Sequence, residues 1–393
     1  MVKVYLILAV YLLFPILIVS AFHKWHFLQK IGTVILAYAV GVVMALTGVV
    51  AFEPDTAEAA AFTQMQNWLM NLSVPIAIPL MLFGCDFKLW TKSLPKTLFA
   101  LLGGTVAVLV AVVSGFFVFR SAGIDDLANV SAMMTGIYTG GTMNFSALGT
   151  ALHVDKTTMT LVLTFEMLVT FPLILFITAG GYKLFRKILP YPDEAVSVAV
   201  DAAHTETAGV EDYRRMLDRH VFPKTLLGLL LSVAFLVVGA GLSLLITGTL
   251  NELVVILTIT TLAIGASFFK KVRCLPKTFE LGMIFILVFS IVVASQFDVY
   301  HLDMSALTLF YFVLYIMFVS VVVHLLFCRV GKVGGDLFTV AHVALLCSPP
   351  FVPPIVGAMG NKKVLISGIV IGLVGYAVGT YLGVAVAYLL QLF

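Results

Sequence analysis

Residues 135–150 read TGIYTGGTMNFSALGT, and the fold turns on whether they form one membrane helix or two half-helices. The surrounding hydropathy calls for a membrane span, yet the stretch holds Gly136, Gly140, Gly141, four threonines, Asn144 and Ser146. At 139–144 the order is Thr139, Gly140, Gly141, Thr142, Met143, Asn144. Glycines free the backbone there, and hydroxyls and an amide supply donors and acceptors. Unpaired backbone amides and carbonyls cost several kcal/mol each in hydrocarbon. A break therefore persists only where protein, ions or water satisfy it. The half-helix starting near Asn144 would aim its free N–H groups at the break and favour an anion, while the carbonyls ending the preceding half favour a cation. The competing reading is a glycine-rich face packed closely on a neighbouring helix.

The chain around this stretch has 393 residues, of which 61% are hydrophobic and 11% charged, with a mean hydropathy of +1.10. Soluble domains carry about 25% charged residues. The deficit runs along the whole chain, which makes this an all-α polytopic membrane protein. A formal charge of +3 gives no reason to expect nucleic acid as a partner, because the basic residues cluster at segment ends. Cys85, Cys274, Cys328 and Cys347 show neither disulfide nor metal-ligand spacing. The first apolar run is long enough for a span and is read as a helix rather than a signal peptide.

A span needs roughly 20 mostly apolar residues. Twelve stretches qualify: 4–22, 31–52, 67–86, 97–119, 129–152, 157–180, 225–248, 253–269, 279–297, 305–328, 336–359 and 364–391. The hydrophilic stretch 181–223 separates a first membrane repeat, 1–180, from a second, 224–393. The halves match at an offset of about 210 positions. Asp86 ends the third stretch as Asp298 ends the ninth. Gly140-Gly141 interrupts the fifth as Ser348-Pro349-Pro350 and Pro353-Pro354 interrupt the eleventh. Prolines remove amide donors and bar helical backbone at the residue before them. Paired interruptions of this kind point to inverted repeats with two broken, crossing helices. Basic runs at 23–30, 88–96, 270–277 and 329–335 set the two halves antiparallel, with the amino terminus outside. The same rule puts residue 224 inside, and so asks for an odd number of crossings before it where hydropathy counts six.

Glu166 is the acidic residue nearest the middle of any stretch. An acidic or basic side chain at mid-membrane costs about 2.5–3.5 kcal/mol or more, so it is read first as functional. It would bind Na⁺, carry a proton or pair with a substrate amine; the alternative is a protonated carboxyl bonded to a neighbouring helix. Its counterpart at the repeat offset falls near Tyr376, which is neutral. His324 and His342 lie within stretches without metal-ligand spacing and read as polar helix contacts. No Lys or Arg falls mid-span, which leaves a substrate anion to helix ends and side-chain dipoles.

PIAIPLMLFGCDF, YTGGTMNFSALGTAL, the acidic position of the next span and the closing GIVIGLVGYAVGTYLG together resemble an uncharacterised family of bacterial integral-membrane proteins, domain of unknown function 819. The resemblance covers nearly the whole chain. That family looks like a member of the cation/proton antiporter and anion transporter group, which includes the sodium–bile acid symporters. The resemblance implies two inverted repeats, with 139–144 and 347–354 as breaks crossing near the midplane, and an ion-binding carboxylate at Glu166. The family's second break usually reads Asn-Ile-Gly-Gly-Pro, whereas this chain has CSPPFVPP.

These readings converge on a secondary active transporter of the inner membrane, not an enzyme. Its cargo is expected to be a small organic solute bearing a carboxylate, coupled to Na⁺ or H⁺ by alternating access. Thr139, Gly140, Gly141, Thr142, Asn144, Ser348 and Pro349 are the expected substrate and ion ligands, and Glu166 the site of the coupling cation, with any Na⁺ near Asn144 and Glu166. No other cofactor is expected, and a homodimer is the candidate assembly. The alternative is a cation/proton antiporter without organic cargo. A hydrolase would need a nucleophile with its base, a metal motif or paired membrane aspartates, and the sequence offers none.

Overall fold

The computed structural model describes residues 2–25, 28, 33–53, 56–84, 93–192, 213–296 and 307–393. Cys85, Asp86, Asp298 and 193–212 of the expected linker lie outside the described residues. Each expected span contains helix: α1 (Val2–Lys24), α2 (Thr33–Leu46), α3 (Ala57–Leu82), α4 (Leu94–Phe119), α5 (Leu127–Ala151), α6 (Lys156–Phe176), α7 (Phe222–Thr247), α8 (Glu252–Ser267), α9 (Thr278–Ser295), α10 (Leu307–Val330), α11 (Gly335–Cys347) with α12 (Val352–Met359), and α13 (Leu365–Leu390). Among the described residues, seven helices are long and apolar enough to cross a membrane. The interrupted elements α5 and α11–α12 are not among them, being too polar or too short.

Local chemistry sets the helix starts. Thr56, Asp155 and Asn251 accept from the backbone N–H three residues on, the N-cap bond that satisfies an otherwise orphan donor. Asp155 lies outside the spans, and the bonds it accepts from Thr158 hold its carboxyl below the usual carboxylate range. Within the helices, Thr97, Thr105, Thr135, Thr139, Thr164 and Thr178 donate to the carbonyl four residues back. That bond hides a hydroxyl without a partner helix, so threonine is tolerated at membrane depth.

The described chain forms two compact units, each drawn from both sequence halves. One takes in the described residues of Met1–Thr91, Val196–Phe297 and Val356–Lys363. Its centre is α9, 72% buried over its span against 17% for the peripheral α7. Gly282 of α9 lies against the Ala77 carbonyl of α3, and Gly41 of α2 lies against Ile291 and Ala294 of α9. A buried polar knot ties three of its helices. Tyr11 Oη is 2.6 Å from Ser295 Oγ, and Gln66 Nε2 donates to both, at 3.0 and 3.2 Å.

The second unit takes in the described residues of Lys92–Ala195, Asp298–Ile355 and Val364–Phe393. It holds both interruptions, packed on α13. Its sixth helix differs from expectation, since it does not stop at 180. A π-helical turn, Ile177–Gly181, carries it into a further helix, Tyr182–Ile188, so the first residues of the expected linker are helical. Gly180, at φ 118°, supplies the backbone conformation this turn needs. The continuation brings Arg186 to Asp336 in the first turn of α11. The pairing is bidentate, Nε to Oδ1 at 2.6 Å and Nη2 to Oδ2 at 2.8 Å. Asp336 is 5% exposed and Arg186 42%. A fully buried pair loses about 3–5 kcal/mol when one partner is removed, and solvent at the guanidinium reduces this. Arg186→Ala is expected to cost about 1–2 kcal/mol, read as a lower thermal midpoint in detergent, with Arg186→Lys recovering part of the loss.

Candidate functional site

The fifth helix is two helices. Gly140 sits at φ −156°, ψ 18° and Gly141 at φ 74°, ψ −169°. The second interruption is built alike: α11 ends at Cys347, Ser348 sits at φ 75°, ψ 166°, and a 3₁₀ turn, Pro349–Phe351, leads into α12. Gly141 and Ser348 thus share a backbone region that is essentially glycine-only. They also meet in space. A methyl group built on Gly141 would lie 2.8 Å from Ser348 Cβ and 3.2 Å from its Oγ, with Tyr376 Cε1 at 3.5 Å. The two interruptions touch inside one unit.

Helix α13 covers both. Gly375 presses on the Thr139 carbonyl, the last before the first break, and Gly372 on Pro349 beside the second. Only a side chain of hydrogen allows this approach. Asn144 secures the far side of the first break. Its Nδ2 donates to the carbonyls of Gly375 and Tyr376, at 3.4 and 3.2 Å, and its Oδ1 accepts from Thr380 at 3.0 Å.

The expected ligands therefore divide. Gly140, Gly141, Ser348 and Pro349 are buried where the breaks meet. Thr139 is buried, with its proton committed to the Thr135 carbonyl at 2.7 Å. Thr142 is exposed, one residue past the break. Asn144 is engaged with α13, and Ser348 Oγ donates back to the Cys347 carbonyl.

Glu166 is 5% exposed and accepts from Thr170 Oγ1 at 2.5 Å. Tyr138, just before the first break, and Cys347, just before the second, lie within its electrostatic reach. The Tyr138 hydroxyl is buried beside Thr170. Glu166 is bonded to Thr170, and Asn144 to Gly375, Tyr376 and Thr380 of α13. Tyr138, Thr170 and Cys347 escaped the sequence reading. Tyr138 adjoins the quoted glycines, and Thr170 stands one helical turn from Glu166, so both were open to a search on helical spacing. Among the described residues, Cys274, Cys328 and Cys347 form no disulfide. Among the described residues no group of three or more His, Cys, Asp or Glu is placed to hold a metal.

The model of the family described as "Protein of unknown function (DUF819)" matches residues 7–393. This chain belongs to that family. It is also similar to "Uncharacterized membrane protein YjcL" of Bacillus subtilis (strain 168), at 25% identity over 354 residues, covering 87% of this chain and 88% of the relative. The protein is a multi-helix membrane protein of this family.

Strain at the breaks is measurable. Relaxing Ser348 to glycine removes about 1–3 kcal/mol of backbone strain and adds about 0.4–1 kcal/mol of unfolded-chain entropy. Ser348→Gly is thus expected to be about 1 kcal/mol more stable, and Gly141→Ala less stable by at least about 1–3 kcal/mol. Thermal unfolding of the purified variants compares them; a stabilised Gly141→Ala would refute the shared conformation.

Proposed function

We propose that this protein is a secondary active transporter of a small, carboxylate-bearing organic solute, coupled to Na⁺ or H⁺ and working by alternating access in the inner membrane. The observation that carries the reading is the meeting of Gly141 and Ser348, two interruptions in the same unusual conformation within one unit. Interrupted helices are tolerated at membrane depth where they line a binding cavity. Twelve spans in two inverted repeats give the simplest account of the pair, and on this reading the family is one of the cation/proton antiporters and anion transporters.

The breaks differ in what they offer. Beyond the first lie Thr142, Met143 and Asn144, all with backbone N–H groups suited to an anion. Beyond the second, Pro349, Pro350, Pro353 and Pro354 remove donors, so carbonyls dominate that side and favour a cation. A carboxylate solute is therefore assigned to the first break and the coupling cation to the side bordered by Cys347 and Glu166.

A second reading, cation/proton antiport without organic cargo, draws on one observation: Glu166 has hydroxyl and thiol neighbours and no basic partner among the described residues. A carboxylate of that kind is free to exchange ions. Proton flux driven by Na⁺ or K⁺ in proteoliposomes lacking any solute separates the two.

Ligands that bind the folded state raise its apparent stability. A thermal-shift screen of amino acids, small peptides and organic acids, with and without Na⁺, is expected to return an organic acid. Glu166→Gln is then expected to abolish ion-coupled uptake of that solute while the protein stays folded. Uptake with the same ion dependence in the variant would remove Glu166 from coupling.

A further inference from the structure

His324 of α10 and His342 of α11 face one another at the centre of the second unit, with their Nδ1 atoms 3.1 Å apart. Both rings are buried. His324 Nε2 lies 2.9 Å from the Ala100 carbonyl of α4. A carbonyl only accepts, so the proton of a neutral His324 sits on Nε2 and its Nδ1 presents a lone pair. Two facing lone pairs would repel at 3.1 Å, so the bridging proton belongs to His342 Nδ1. In the neutral ring that leaves His342 Nε2 as a bare lone pair, and this atom is buried with no hydrogen-bond partner among the described residues. One carbonyl thereby fixes the tautomers of two rings and leaves a single unfilled acceptor.

An acceptor with no accessible surface admits no organic ligand. A proton is the species small enough to fill it, and one aromatic ring lies beside both imidazoles. Phe338 stacks on His342 at 5.7 Å and 16° and lies 4.9 Å from His324. A ring face within about 6 Å attracts a desolvated cation. We propose that the His324–His342 pair is a proton-binding site of this protein, separate from Glu166, filled at His342 Nε2. On uptake the Nε2 lone pair forms the new N–H bond, the bridging proton stays between the rings, and the positive charge is shared by the imidazoles over Phe338.

The groups that could compete for this role are otherwise occupied or apart. On the elements packed against α11 they include Glu166, Tyr138, Cys328, Tyr376 and Arg186, together with Asp336 and Cys347 on α11 itself. Neither imidazole hydrogen-bonds to any of them; their partners are one another and Ala100. The inference does not rest on the transport reading, because proton binding is measured without a solute.

The test uses full-length protein in lipid nanodiscs with ¹⁵N-labelled histidine. The chain has 8 histidines, and His324→Gln and His342→Gln assign the two signals. At alkaline pH, His324 is expected as the Nε2–H tautomer and His342 as the Nδ1–H tautomer. On acidification, His342 Nε2 is expected to gain a bonded proton before the protein unfolds. Two rings in the same tautomer, or a His342 Nε2 that stays bare until unfolding, would overturn the proposal. A dye-based proton count gives a second readout. Wild type is expected to take up one proton more per chain than His342→Gln over the same range, whereas Glu166→Gln keeps that increment. Equal uptake by wild type and His342→Gln counts against the site, and loss of the increment in Glu166→Gln would merge it with the carboxylate.

Discussion

The need to satisfy backbone polar groups where helices are interrupted governs the second unit. In hydrocarbon an orphan N–H or C=O has no water to turn to, so an interruption demands a dedicated neighbour. Helix α13 is that neighbour. Its glycines let the Thr139 carbonyl and Pro349 come against its backbone, and its carbonyls take the Asn144 amide. A bulkier α13 would push the breaks apart, and the polar ends would then meet lipid.

The two interruptions reach one conformation by different chemistry. Glycine adopts φ near 74° without penalty at position 141. Ser348 adopts the same φ with a Cβ, a conformation that persists only where surrounding structure enforces it. The flanking prolines are part of that enforcement. Pro349 fixes its own φ and restricts Ser348 to non-helical backbone, and it is itself wedged against Gly372. The prolines also strip donors from the second break, so similar geometry presents opposite polarity.

Buried ionisable groups in this unit are handled in three ways. Asp336 is neutralised by a bidentate guanidinium. The two histidines share one bridging hydrogen bond, which leaves a single unfilled acceptor at His342 Nε2. Among the described residues, Glu166 accepts one hydroxyl bond, from Thr170, and has no basic partner.

Much of this was written in the chain as read. Apolar stretches set by the length of a span located the helices, because a helix at membrane depth must be apolar over its own residues alone. The glycine pair and the proline cluster located both interruptions, because backbone conformation depends on the residue that adopts it. The sequence also singled out Glu166 and Asn144, and the structure adds that Asn144 is hydrogen-bonded to α13. It read His324 and His342 as separate helix contacts, and the structure joins them. The continuation of α6 through Gly180 to Arg186 was hidden by a hydrophilic composition that looks the same in helix and loop. Local backbone and burial were therefore determined by the sequence itself, since each depends on a residue and its near neighbours. Which polar atoms share a bond was decided only by tertiary structure, because hydrogen bonds of about 3 Å join residues far apart in the chain, and packing alone sets those distances.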